Sequence, residues 1–192
     1  MFKTDLVDYI LSGHSLINVE THEKDRAIGD ILDASKQINR RVLVWSIATG
    51  WVGPDGNPIP DTNGGPEAAI QFILGEAIKE PSVCVLKDFA PYLRHETYNS
   101  FDVVISWLDF AKSVLINNST TIVMVGAGLV VPEPLKYDLT TMDFALPDSE
   151  HISNNIKFVC EDVVTENGVK VSPNLDMMAN LVEALRGLSH QQ

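Results

Sequence analysis

The run Ser82-Val83-Cys84-Val85-Leu86-Lys87-Asp88-Phe89 sets four apolar residues in succession, then breaks into a cation, an acid and an aromatic. A short continuous apolar run bounded by polar residues reads as a strand buried on both faces, and such strands belong to parallel sheets covered by helices. Thr121 to Val125 repeats the pattern, and Leu16-Ile17-Asn18-Val19-Glu20, Arg41 to Ile47 and Leu139 to Phe144 are three further β-rich stretches. Helical spacing fills the gaps. Leu6, Val7, Ile10 and Leu11 share one face over residues 4–12, with Thr4 as N-cap and Gly13 as the stop. After Glu20, Thr21 is expected to cap a helix whose buried side is Ile28, Ile31, Leu32 and Ser35. Pro66 stands at the first position of a third helix, with Ala69, Ile70, Ile73 and Leu74 turned inward. Phe101 to Leu115 is a long helix, apolar nearly all round.

Strands alternating with helices define βαβ units with right-handed crossovers. The expected fold is therefore α/β, a three-layer sandwich around a mostly parallel five-stranded sheet. Residues 49–66, rich in glycine and proline and without periodicity, read as one long loop, which in a compact domain is usually functional or mobile. After Pro147 the pattern becomes wholly helical. Segments 148–164 and 172–188 are separated by Asn167-Gly168, and Ser172 with Pro173 caps the second. The organisation expected is an α/β domain over 1–147 and a helical segment over 148–192.

The chain has 192 residues, 26 acidic and 14 basic, and a net charge of -12. Affinity for phosphate backbones comes from Lys and Arg displacing counterions, so nucleic acid is not an expected partner. The same negative field keeps the chain off anionic membranes. The longest apolar stretch, Ile122 to Val131, is interrupted by glycines and falls short of the ~20 residues of a membrane span. Met1-Phe2-Lys3-Thr4-Asp5 lacks the order of a signal peptide. Cys84 and Cys160 make neither a disulfide framework nor a cysteine-rich metal site, and both read as core residues. The expected location is the cytoplasm, or the plastid stroma if the source has plastids.

In a parallel sheet, ligands bind at the carboxyl ends of the strands. The first such turn, Glu20-Thr21-His22-Glu23-Lys24-Asp25-Arg26, has no glycine, is too short to encircle a phosphate and carries three acids. A Walker A loop is excluded there, because that loop wraps phosphate in backbone N–H groups. Gly53 to Gly65 holds no Gly-Lys-Ser/Thr, and Gly126-Ala127-Gly128 leads to Pro132 and Pro134 instead of a helix. The third strand, ending Leu86-Lys87-Asp88, has the layout of a Walker B strand, in which the acid holds Mg²⁺ and a following Glu positions water. Phe89 stands in place of that Glu. Thr21, Lys87 and Asp88 are the cofactor-binding candidates and Asp88 the metal candidate. The plainer reading gives Thr21 to helix capping and Asp88 to loop-tying hydrogen bonds. The five histidines show no ligand spacing, and no residue is assigned a catalytic role. Trp45 and Trp107 read as core. Trp51, in the loop, and Tyr92 are the candidate protein contacts.

Five stretches taken in order carry a family resemblance: Leu16 to Arg26, Val44 to Trp51, Val85 to Phe89, Thr121 to Leu135, and Met142-Asp143-Phe144-Ala145-Leu146-Pro147-Asp148. Together they resemble the N-terminal region of the AAA-family ATPases typified by the hypothetical chloroplast reading frame of plastids and cyanobacteria, a group also found in bacteria and phages. The resemblance implies a degenerate, P-loop-NTPase-like module lying before a true AAA core, with the first, third and fourth strands at the centre of the sheet. It makes 148–192 the start of a lid-like subdomain, with Leu185 to Gln192 similar to the family's lid segment. It also implies a piece of a longer protein, or a gene product reduced to this module. ATP and Mg²⁺ belong, on this reading, to the catalytic domain of the parent protein and not to this chain. The expected partners are that AAA core, protein clients, and other subunits through the parent ATPase. The leading expectation is a non-catalytic module for assembly, regulation or substrate engagement. The alternatives are a divergent nucleotide-binding domain using Asp88 and the 49–66 loop, and a free-standing protein-interaction domain.

Overall fold

The computed structural model describes residues 2–77, 79–167 and 175–185. In chain order the elements are α1 (Phe2–Leu11), β1 (Leu16–Glu20), α2 (Lys24–Gln37), β2 (Arg41–Ser46), β3 (Gly50–Val52), α3 (Pro66–Ala77), β4 (Ser82–Lys87), α4 (Phe101–Asn117), β5 (Thr121–Gly126), β6 (Leu139–Asp143), α5 (Ser149–Asn167) and α6 (Leu175–Leu185). Short 3-10 turns at Ala90–Leu93 and Glu133–Leu135 follow β4 and β5. Two compact units are present, Met1–Phe144 and Ala145–Gln192. In the second, α5 and α6 pack on each other. The proposed cap at Ser172-Pro173 and the lid-like ending after Leu185 lie outside the described residues.

The first unit is built on one six-stranded sheet of order β3-β2-β4-β5-β1-β6. All pairings are parallel except β2 with β3. The expected α/β sandwich is therefore present, with the Leu16, Ser82 and Thr121 strands in the middle. Because side chains alternate across a strand, each central strand feeds both faces. Val83, Val85, Val123, Val125, Ile17 and Val19 pack under α1 and α2, against Leu6, Ile10, Ala27, Ile31 and Ala34. Cys84, Leu86, Ile122, Met124 and Leu16 pack under α3 and α4, against Ile70, Ile73, Val104, Leu108 and Leu115. Fully burying an aliphatic side chain contributes about 1.5–3 kcal/mol each, so these two faces hold the sheet.

Four local expectations are corrected. Residues 49–66 are not one loop, because Gly50–Val52 forms a sixth strand, antiparallel to β2, with Trp45 opposite Trp51. Helix α1 starts at Phe2, so Thr4 lies inside it. The ring of Phe2 meets Phe144 edge-on at 4.7 Å, a tertiary contact that extends the helix past its local cap. Helix α2 starts at Lys24 with Glu23 as N-cap, two residues after Thr21. Cys160 is half-buried, while Cys84 is fully buried as expected.

Candidate functional site

Register brings the carboxyl ends of the strands to one edge. Glu20 lies opposite both Gly126 and Asp143, and Lys87 lies opposite Val125. The chain leaving β1 stays bound to β5, since Thr21 N–H donates to the Gly126 carbonyl at 2.8 Å. The chain leaving β4 does the same, with Asp88 N–H on the Val125 carbonyl at 2.9 Å. Thr21, Lys87 and Asp88 are thereby gathered at this edge.

The turn between β1 and α2 is closed by its own side chains. Thr21 Oγ1 accepts from Glu23 N–H at 2.9 Å. Glu23, 3% exposed, is ion-paired with the Arg26 guanidinium. That guanidinium lies 4.1 Å from the centre of the Phe144 ring, a cation–π contact. A buried carboxylate is tolerated only when paired, and Arg26 supplies the pairing.

Two reciprocal ion pairs join the first turn of α2 to the end of β4. Lys24 Nζ donates to both carboxylate oxygens of Asp88, at 2.9 and 2.8 Å. Lys87 Nζ reaches Asp25 Oδ1 at 2.5 Å. Asp88 holds a left-handed backbone, φ 56°, a conformation that a short polar residue accepts more readily than most. With side chains 32% and 53% exposed, the Lys24–Asp88 pair is worth at most about 1 kcal/mol. Its consequence is chemical: the carboxylate of the Walker-B-like acid already has a cation on it. Beside it, the Glu20 carboxylate accepts from Gly128 N–H and the Gly128 carbonyl accepts from Arg94.

A triphosphate and its Mg²⁺ need a ring of backbone N–H groups, a lysine free to reach the β- and γ-phosphates, and a free carboxylate. Here Thr21 N–H and Glu23 N–H are engaged, and the lysine at the helix start is spent on Asp88. The space a cradle glycine provides is also not required at Gly126, where an added Cβ would lie 3.5 Å from Asp88 Oδ1, an ordinary contact. The residues fit that ligand poorly. Among the described residues no group of three or more His, Cys, Asp or Glu is arranged to hold a metal ion.

Phe89, the residue after the acid, is buried and packs edge-to-face with Trp45 at 5.6 Å and Tyr92 at 5.5 Å. Tyr92 is half-buried in this aromatic group, which Tyr98 extends at 5.3 Å. The expected exposure of Trp51 is corrected. It is fully buried and stacks on Phe72 at 5.2 Å, because pairing with β2 turns its ring toward α3. Sequence reasoning missed Lys24 as the partner of Asp88, and missed Glu20 and Arg94 as the clamps of Gly128. Lys24-Asp25 opens α2 and Lys87-Asp88 closes β4, and nothing in the sequence sets their crosswise pairing.

A parallel core in this order, with helices on both faces and its loops gathered at the carboxyl edge, is the architecture of an AAA-type α/β domain. Solved structures agree on the fold. The chain superposes on an AAA domain of FIGL-1 in complex with ADP at a TM-score of 0.56 and 15% identity, covering 92% of this chain and 56% of that one. A chain of the E. coli MS115-1 HORMA:CdnC:Trip13 complex gives 0.53 and 14%, covering 93% and 60%. Residues 2–144 match the family described as SpoVK-like AAA ATPase, N-terminal domain, and the chain belongs to that family. It is 28% identical over 190 residues to the AAA domain-containing protein ycf46 of Guillardia theta, and 25% identical over 191 residues to that of Trieres chinensis. Each match takes in 98% of this chain but 35% of the relative, so the chain spans about a third of the length of these curated relatives.

Proposed function

We propose that this chain is a non-catalytic ATPase-like module of an AAA ATPase, serving assembly, regulation or substrate engagement, and that it does not itself hydrolyse ATP. The observation that carries this reading is the Lys24–Asp88 pair. The one lysine at the start of α2 and the one acid in Walker B position neutralise each other, where an ATPase would turn both toward Mg-ATP. The engaged turn at 21–23 and the burial of Phe89 support it, as does membership of an N-terminal domain family. ATP and Mg²⁺ then belong to a catalytic domain of the parent ATPase, and that domain is the first partner. Oligomerisation would come through the parent, and the location is the cytoplasm or a plastid stroma. No helix among the described residues is long and apolar enough to cross a membrane.

The rival reading keeps nucleotide binding at Asp88, whose half-exposed carboxylate would have to exchange Lys24 for Mg²⁺. Calorimetric titration of the 192-residue chain with Mg-ATP separates the two. No binding tighter than ~0.1 mM, about 5.5 kcal/mol, is expected. Tighter binding that Asp88→Ala removes would establish the rival.

A further inference from the structure

Helix α4 carries two apolar faces. Val104, Leu108, Ala111 and Leu115 form the buried one. Val103, Trp107, Phe110 and Val114, spaced i, i+4, i+7, i+11, form a second stripe over about three turns. Val103 is 47% exposed and Phe110 58%, while Trp107 and Val114 are half-buried. Trp107 and Phe110 meet edge-on at 6.1 Å. Beside the stripe run Asp102, Ser106, Asp109 and Ser113. The hydroxyls of Ser106 and Ser113 donate back to the Asp102 and Phe110 carbonyls, so an apolar partner can cover them without orphaning a donor. On the far side of Asp102 and Ser106 lies a groove of about 400 Å³, walled by Phe101, Ile105 and the Val130 to Pro134 segment. Asp102 and Ser106 border both features.

We propose that this surface docks an amphipathic helix of a partner protein, with apolar anchors on one face and Lys or Arg beside them. Spacing argues for a helix, because a stripe of this period is complementary to i, i+3, i+4, i+7 anchors. A half-buried Trp107 beside an exposed Phe110 is the residue chemistry that concentrates binding energy at interfaces. Charge selects the flanks. Glu96, Asp102, Asp109 and Glu133 rim the stripe and groove, and among the described residues Glu96 and Asp102 make no ion pair. The lysines here are ion-paired, Lys112 with Asp109 and Asp138 and Lys136 with Glu133; Arg94, bonded to the Gly128 carbonyl, keeps its charge, and Glu96 and Asp102 still leave the rim acidic. A second copy would bring the same acids against this rim, and an anionic membrane would meet the same repulsion. The stripe of α4 belongs to the layer opposite α2.

The test titrates an 18-residue helical peptide, leucine at i, i+3, i+4, i+7 with lysine between, into the ¹⁵N-labelled chain. Two control peptides are a scramble of the same composition and a version with glutamate for lysine. Saturable amide shifts centred on 102–114, at least tenfold weaker with either control, are expected. Val103→Lys and Phe110→Lys should each weaken binding at least tenfold with thermal unfolding unchanged. Leu11→Lys, the same charge change at a residue 61% exposed on α1 in the opposite layer, should alter it less than twofold. No binding up to 1 mM, equal binding of either control, shifts centred elsewhere, or self-association through α4 in sedimentation would each overturn the proposal.

Discussion

Glu76 and Cys84 show opposite outcomes of burial. Glu76, near the end of α3, is nine-tenths covered, and burial alone would raise its carboxyl; hydrogen bonds from Lys79 and Arg41 more than offset this and hold it below the ordinary value of 4.5. A carboxyl depressed in the folded state stabilises above its unfolded pKa, and that contribution is lost as pH falls through the folded pKa. Glu76→Gln should therefore cost about 1.5 kcal/mol at pH 7, the lower end of the range for hydrogen bonds to charged groups. The difference from the parent should vanish toward pH 3 in urea unfolding; a pH-independent difference would mean that packing, not charge, is what the variant removes. Cys84 has no such partners. Burial pushes its thiol up to about 12, with Arg41 lowering it and Glu76 raising it in lesser measure. In the folded chain at pH 8, iodoacetamide should modify Cys160 and leave Cys84 untouched, with both modified in denaturant, as intact mass would count. Rapid native labelling of Cys84 would contradict its place in the core.

At the scale of the element, the hairpin β2–β3 depends on one backbone angle. Gly50 has φ 64°, and an added Cβ would sit 2.6 Å from Asn63 Oδ1 and 2.8 Å from the Thr62 carbonyl. The side-chain amide can swing away but the carbonyl cannot, so Gly50→Ala should destabilise the first unit by about 2 kcal/mol or more, from strain and collision together. Unfolding measured by Trp fluorescence checks it, because Trp45 and Trp51 face each other across this pair. An unchanged midpoint would contradict the hairpin. This element also marks where the sequence stopped being informative. β1, β4 and β5 were legible because both their faces are buried, and only Asn18 of β1 interrupts their apolar runs. Gly50-Trp51-Val52 is too short for periodicity, and its pairing is fixed from outside: Trp51 N–H donates to Thr62 Oγ1, Ile59 N–H donates to the Trp51 carbonyl, and its ring stacks on Phe72. The same cause moved the start of α1, since the Phe2–Phe144 contact is set 142 residues away in sequence and not by a cap. The second apolar stripe of α4 was visible as a helix apolar nearly all round, but only the packing separates its core face from its exposed one.

Across the whole molecule, the sequence pointed to the carboxyl edge of the sheet, because parallel strand direction follows from alternating strands and helices. Thr21, Lys87 and Asp88 could be placed there from strand ends alone. What they do there could not, since the crosswise pairing of Lys24-Asp25 with Lys87-Asp88 depends on a register between α2 and β4 that no local pattern encodes. That pairing is the centre of the account. Phosphoryl transfer is positioning and electrostatic stabilisation, and the proposed non-catalytic role rests on an Asp88 carboxylate paired with Lys24 and on turn N–H groups at Thr21 and Glu23 that are already engaged. The most direct test is steady-state ATP turnover by the purified 192-residue chain with and without Mg²⁺, beside its Asp88→Ala variant. Phosphate release at the no-protein background in all four conditions is the outcome the account predicts. A Mg²⁺-dependent rate abolished by Asp88→Ala would contradict it and make this chain an active, divergent ATPase.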